Sequence, residues 1–253
     1  MQTPLSRRLL PFLGPVLFFV VWYGVVALGL VNKVLLPSPI DTVAFLVTAV
    51  VKGVMLVDIW ATFVRTAIAF LIAAAIGVPL GIALGSSETA YRSVEFLIDF
   101  FRSTPSSALI PLFLLIFGIT DANKIAIAAF AAMLLILFNS AYGVMHARKT
   151  RILAARIMGA NAWDIFRHVL LMESLSQTFV GLRNGISMAL VIVIVAEMFI
   201  GSETGLGHRI IDAQQVLNVK DMYASIVVTG ALGYLLNVAF LVMEQRFIHW
   251  SGK

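Results

Sequence analysis

Few residues in this chain are equipped for covalent or metal chemistry. There is no cysteine, which removes disulfides, thiolate metal sites and cysteine nucleophiles together. The four histidines, His146, His168, His208 and His249, stand in different segments without metal-ligand spacing, and neither H-E-x-x-H nor G-x-S-x-G occurs. A phosphate-cradling G-x-x-x-x-G-K-S/T is missing as well; the one Gly-Lys pair is Gly252 with Lys253. No enzyme and no bound metal or cofactor is expected of this chain. The ionisable residue that stands out is Glu197, near the end of a long apolar run. A carboxylate at membrane depth is costly and is a functional candidate by default. It reads either as a proton site of a gradient-driven carrier or channel or as an interfacial group that caps a helix or pairs with Arg209.

The elements that must position it follow from composition. Hydrophobic residues make up 60% of the 253 and charged ones 12%, about half the roughly 25% charge of a soluble domain. The surplus must face lipid, and a spanning helix takes about 20 apolar residues. Six spans are expected: 9–31, 60–85, 108–119, 125–144, 178–199 and 224–243. The first, behind Arg7 and Arg8, is too long for a signal-peptide core of about 7 to 15 residues and reads as retained. Residues 40–57 read as a half-polar, interfacial helix and are not counted. Pro105 and Pro111 make the third span short or broken, which is tolerated where protein or water meets the freed carbonyls. The domains are then 1–59, an N-terminal span with a periplasmic segment; 60–247, the transmembrane domain; and the tail 248–253.

Two runs of small residues predict how the spans pack. Ala69, Ala73, Gly77, Gly81 and Gly85 recur every four residues, and Gly181, Gly185 and Ala189 repeat the spacing. On a helix each set forms a ridge that lets another backbone approach closely. These are assembly features and do not mark a substrate. Asn139, Asn184 and Asn237 read as interhelical hydrogen bonds, with Asn139, Pro105, Glu197 and Met198 as candidates for the lining of a pathway.

Of the 18 basic residues, twelve fall inside if the amino terminus is cytoplasmic, and six, Lys33, Lys52, Arg65, Lys124, Arg209 and Lys220, fall outside. That asymmetry supports a cytoplasmic location for both termini. The formal charge of +5 is then a topology and lipid signal, and no nucleic-acid partner is expected. The sizeable inner loop, 145–177, carries Arg148, Lys149, Arg151, Arg156 and Arg167. Its pattern predicts a short helix, a turn at Gly159, and an amphipathic segment, 162–171, with Trp163, Phe166 and Leu170 on one face. Two short helices meeting at a glycine make a knob suited to a partner's groove.

On these residues the chain resembles the integral-membrane permease subunits of bacterial ATP-binding-cassette (ABC) importers. Their loop signature is E-A-A-x-x-x-G followed by I-x-L-P, and residues 153–172 read LAARIMGANAWDIFRHVLLM. Ala154, Ala155 and Gly159 match the core; Ile165, Phe166, Arg167, Val169 and Leu171 match the tail. Leu153 replaces the glutamate and Met172 the proline, so no ionic contact from position 153 is carried over. RSTPSSALIPLFLLIFGI (102–119) and VGLRNGISMALVIVIVAEMFIGSETGLGHRIIDAQ (180–214) resemble the branch that imports sulfonates, taurine and nitrate, the latter through Ala196, Glu197, Met198, Gly201, Gly205 and Gly207. The resemblance implies an all-α membrane protein of the type I importer permease fold. It also implies a second permease copy, two cytoplasmic ATPase subunits and an extracytoplasmic solute-binding protein, in a bacterial inner membrane. Ala154, Ala155, Arg156, Gly159, Ala160, Trp163, Phe166 and Arg167 would meet the ATPase, and ATP with Mg would act through that partner. Alternating access would move a small solute: a sulfonate, taurine, nitrate or a vitamin precursor.

Overall fold

A computed structural model describes residues 4–32 and 34–247. Lys33 and the tail 248–253, with His249 and Lys253, lie outside the described residues. All regular elements among them are helical: α1 Pro4–Ala27, α2 Pro39–Val51, α3 Leu56–Gly85, α4 Glu88–Ser103, a 3-10 turn Ser106–Leu109, α5 Ile110–Phe117, α6 Asp121–Met145, α7 Lys149–Ile157, α8 Ala162–Ile165, a π turn Phe166–Leu170, α9 Leu171–Phe199, α10 Leu206–Gln215 and α11 Val219–Phe247.

Of the six spans expected, four or five are recovered by length and composition among the described residues, with α1 as the remaining candidate. Four helical stretches among the described residues are long and apolar enough to cross a membrane: α3, α6, the run Ala162–Phe199 and α11. A fifth crossing needs α4 and Ser106–Phe117 taken together, and these meet at a bend of 92°. The cause is local: Pro105 has no N–H to donate and pushes Thr104 to an extended conformation (ψ 125°). The first apolar run leaves the helix at Ala27, before the turn that contains Gly29 at φ 67°, and α1 is 24 residues long, the length a crossing takes. α2 is a short apolar helix of 13 residues, as expected for a segment that does not cross. The fifth span starts earlier than expected, because nothing between Ala162 and Phe199 interrupts the helix beyond the π turn. The loop 145–177 therefore shrinks to α7, the Gly159 turn and the start of one 38-residue helical run.

α6 is the centre of the bundle, packed between α3 and α9, and both small-residue ridges face it. Ala69 and Ala73 are fully buried, with Gly77, Gly81 and Gly85 on the same line. A Cβ at Gly81 would overlap the Leu137 carbonyl and come within 2.7 Å of Ser140 Cβ; one at Gly85 would lie 2.5 Å from the Ala141 oxygen. From the other side, a Cβ at Gly181 would meet Asn139 at 2.6 Å and one at Gly185 would meet Ile136 at 2.7 Å. Close backbone approach of this kind is what holds helices together where lipid removes the hydrophobic drive. Replacing Gly81 with leucine is expected to lower thermal stability in detergent by about 2 kcal/mol or more, the scale of an overpacked core. Gly230→Ala, with open space around it, should leave the melting temperature unchanged or slightly raised.

Candidate functional site

At the end of the bundle where α6 finishes, the chain presents the hairpin expected around Gly159. α7 ends at Ile157, and Gly159 turns the chain with φ 85°, a region that disfavours any side chain. Asn161 then caps α8 reciprocally with Asp164: the Asn161 side chain accepts from Asp164 N at 2.9 Å, and the Asp164 carboxylate accepts from Asn161 N at 3.2 Å. Trp163 and Phe166 stack with centroids 5.5 Å apart. Met158 is 86% exposed, Ile157 79% and Trp163 64%, so the hairpin holds a contiguous apolar tip away from the bundle. Ala154, Arg156 and Arg167 are exposed beside it, while Ala155 and Ala160 are half-buried. An ion pair from Arg151 to Glu173 ties α7 back to the long helix.

The opposite end is closed by a polar knot. Glu197 has no exposed surface and accepts from Arg65 Nη1 at 2.7 Å, from the Thr62 hydroxyl at 2.9 Å and from Gly207 N at 2.9 Å. Thr62 Oγ1 in turn accepts from Leu206 N at 2.8 Å, and Asp58 Oδ1 accepts from Gly205 N at 2.9 Å. Three successive N–H groups at the start of α10, which have no partner within their own helix, are thus met by Asp58 and Thr62 of α3 and by Glu197 of α9. Arg65, one turn further along α3, also donates to the Thr204 carbonyl at 2.8 Å and pairs with Asp121 at 2.9 Å. Lys124 joins Asp121 to Ser202 at 3.1 and 3.0 Å. Gly205, at φ 128°, and Gly207 leave the room this requires, since a Cβ on either would run into Glu197.

Arg209 does not pair with Glu197. It holds Asp221 at 2.7 Å and Asp58 at 3.1 Å. Burial works against its charge, but the hydrogen bonds and charges of Asp221 and Asp58 outweigh burial and raise its pKa above the ordinary value. The capping half of the interfacial reading of Glu197 therefore holds and its pairing half does not. Nor is Glu197 the free carboxylate that a proton-driven carrier would need. The remaining pathway candidates do not converge on it: Pro105 is exposed at the α4 bend, Met198 is half-buried against the cluster around Met55 and Leu206, and Asn139 donates to Leu135 O of its own helix at 2.8 Å. Arg183 meets Glu244 of α11 at 3.7 Å. Sequence reasoning missed Arg65, Thr62 and Asp58 as the partners of this end. The available signal was a lone arginine inside an otherwise apolar run.

Apolar crossings wedged together through glycine define a multi-pass helical membrane protein. Residues 77–249 match the model of the binding-protein-dependent transport system inner membrane component. A protein of Brucella abortus described as a probable ABC transporter permease is 31% identical over 92% of this chain and 91% of its own length. The taurine transport system permease protein of Escherichia coli is 29% identical over 99% of this chain and 93% of its own. Among solved structures, a chain of the MetNI methionine ABC transporter in an inward-facing conformation superposes with a TM-score of 0.63 at 22% identity, covering 75% of this chain and 94% of that one. The chain belongs to the binding-protein-dependent transport system inner membrane component family. It is the non-catalytic permease subunit of an ATP-driven importer, with a fold of the type seen in that methionine transporter.

Removing one partner of a buried ion pair costs about 3–5 kcal/mol, because the other charge is left uncompensated. Glu197→Ala is therefore expected to lower stability on that scale and to speed amide hydrogen exchange at Gly205, Leu206 and Gly207 before the rest of the bundle. Unchanged exchange at those three amides would show that the carboxylate does not cap α10.

Proposed function

We propose that two copies of this chain form the pathway, that the Gly159 hairpin of each docks on a cytoplasmic ATPase subunit, and that an extracytoplasmic solute-binding protein delivers the solute at the α10 end. Both termini are then cytoplasmic, in a bacterial inner membrane. ATP and Mg are bound by the ATPase pair, and their closure draws the two hairpins together and opens the pathway outward; hydrolysis reverses it. This is alternating access by rigid-body motion, and the chain itself transmits force. The solute is a small molecule of the sulfonate, taurine, nitrate or vitamin-precursor type. Support for that class comes from the taurine permease of E. coli, the aliphatic-sulfonate permease of Bacillus subtilis at 25% identity over 94% of this chain, and the residues 180–214 that resemble that branch.

The observation that carries the coupling role is the apolar tip at Ile157, Met158 and Trp163, exposed beyond a glycine turn. Side chains of this kind exposed together mark a contact surface, and Trp is a common anchor of such contacts. Leu153, 59% exposed on α7, extends the apolar surface where the usual loop carries a glutamate. Coupling here then rests on apolar contact, and the missing carboxylate is compensated by area.

Gly159→Trp is the direct test. The expected outcome is a chain that inserts and purifies normally but shows loss of solute-stimulated ATPase activity and of uptake in reconstituted vesicles. A variant that imports at the normal rate would disprove docking at this hairpin.

A further inference from the structure

Arg102 is a charged residue of the bundle that neither the coupling hairpin nor the α10 cap uses. The last turn of α4 carries Asp99 and Arg102, joined by an ion pair of 3.2 Å. Such a pair is ordinary at a membrane surface, but its neighbours place it deeper. Phe101 packs edge-on against Phe130 with centroids 5.5 Å apart, and the Arg102 guanidinium carbon sits 4.0 Å from the centre of the Phe138 ring. Phe130 and Phe138 stand 15 and 7 residues before Met145, the last residue of α6. The end of α4 therefore lies about 10 to 22 Å along α6 from its Gly159 end, at a rise of about 1.5 Å per residue, so Arg102, counted above among the inner basic residues, sits within the bundle and not at its cytoplasmic tip.

A guanidinium at that depth is kept where protein or water meets it. Arg65, at the other end, shows the enclosed case: its side chain is 8% exposed and its two terminal nitrogens donate to Glu197, Asp121 and Thr204. Arg102 has one carboxylate partner and leaves 36% of its side chain open. Its planar face rests on Phe138, and a cation stacked in this way keeps its edge N–H groups for another ligand. Along the same face of α6, Phe138 stacks on Tyr142 at 6.2 Å and Tyr142 on His146 at 3.8 Å. Tyr142 is 40% exposed. His146 Nδ1 lies 3.0 Å from the Tyr142 carbonyl, which leaves its other ring nitrogen for a further partner. A stripe with arginine, phenol and imidazole is unlike the aliphatic surface that lipid selects.

We propose that Arg102, seated on Phe138 and continued by Tyr142 and His146, is a station of the translocation pathway that binds the oxyanion group of the solute. The assignment rests on the permease reading above and narrows its substrate class to solutes bearing a sulfonate or a similar planar or tetrahedral oxyanion. The guanidinium fork matches such groups geometrically, which an ammonium does not. Asp99 offsets the positive charge, so an anion is held loosely enough to move on, as conduction through any pathway requires. The stripe is open on one side, and a second copy of the chain completes the enclosure.

The test uses the assembled importer, with its ATPase and binding protein, in proteoliposomes. Modification of Arg102 by phenylglyoxal is followed by mass spectrometry in the presence of ethanesulfonate, nitrate or the neutral ethyl methyl sulfone. The two anions should slow modification of Arg102 severalfold, with the sulfone without effect and Arg209 unchanged throughout. Phe138→Leu, which leaves the charge in place, should weaken that protection. Taurine uptake should fall about tenfold in Arg102→Gln, the worth of one charge-assisted contact, with an intermediate rate in Arg102→Lys. Equal modification of Arg102 under all three solutes, or normal uptake by Arg102→Gln, overturns the station. Protection by anions in an importer that moves no sulfonate keeps the station and refutes the sulfonate assignment; taurine uptake with Arg102 unprotected does the reverse.

Discussion

The contact between Glu197 and Arg65 is the constraint around which the rest of the chain is arranged. Two charges so enclosed are costly unless each is fully met. Here the carboxylate is met by a guanidinium, a hydroxyl and a backbone amide, and the two terminal nitrogens of the guanidinium by two carboxylates and a carbonyl, with its Nε left unpaired. That requirement joins α3 to α9, brings the start of α6 alongside through Asp121, and fixes where α10 begins. It also explains the glycines at 205 and 207: the backbone at the start of α10 approaches a carboxylate too closely for a Cβ at either position.

Elsewhere the bundle depends on backbone proximity. α6 is buried along most of its length because its neighbours present glycine and alanine toward it. The membrane environment makes this economical, since apolar side chains gain little by leaving lipid for protein and contact area must come from close fit. The consequence is a firm inner set of α3, α6 and α9, with α1, α2 and α11 packed more loosely outside it. The large apolar residues exposed on those outer helices, Leu17, Phe18, Ile40 and Tyr234 among them, are what a lipid-facing surface requires.

Local features were legible in the sequence. The two small-residue ridges, the turn at Gly159 and the apolar face of Trp163 and Phe166 are all short-range patterns, and short-range spacing on a helix determines which residues share a side. Less was legible where the answer depends on long-range contact. Glu197 stood out, but its partner lies 132 positions away, and nothing in spacing alone distinguishes Arg65 from Arg209. The choice is made by helix phase: Asp58, Thr62 and Arg65 fall on one side of α3 and reach the start of α10 together. The bounds and shapes of the spans were less legible for a related reason. Hydropathy reports which residues prefer lipid, and it does not report that α4 and α5 meet at a right angle or that α8 runs through a π turn into α9.

That last continuity has a mechanical consequence. A helical run of 38 residues is about 57 Å long at about 1.5 Å per residue. It starts at the Gly159 turn and ends two residues past Glu197. Such a rod is a lever arm whose pivot is its packing against α6 through Gly181 and Gly185. A tilt of only about 5° would carry its two tips about 2 to 3 Å in opposite directions, so the hairpin and the cap of α10 must move as one piece or the π turn must flex between them.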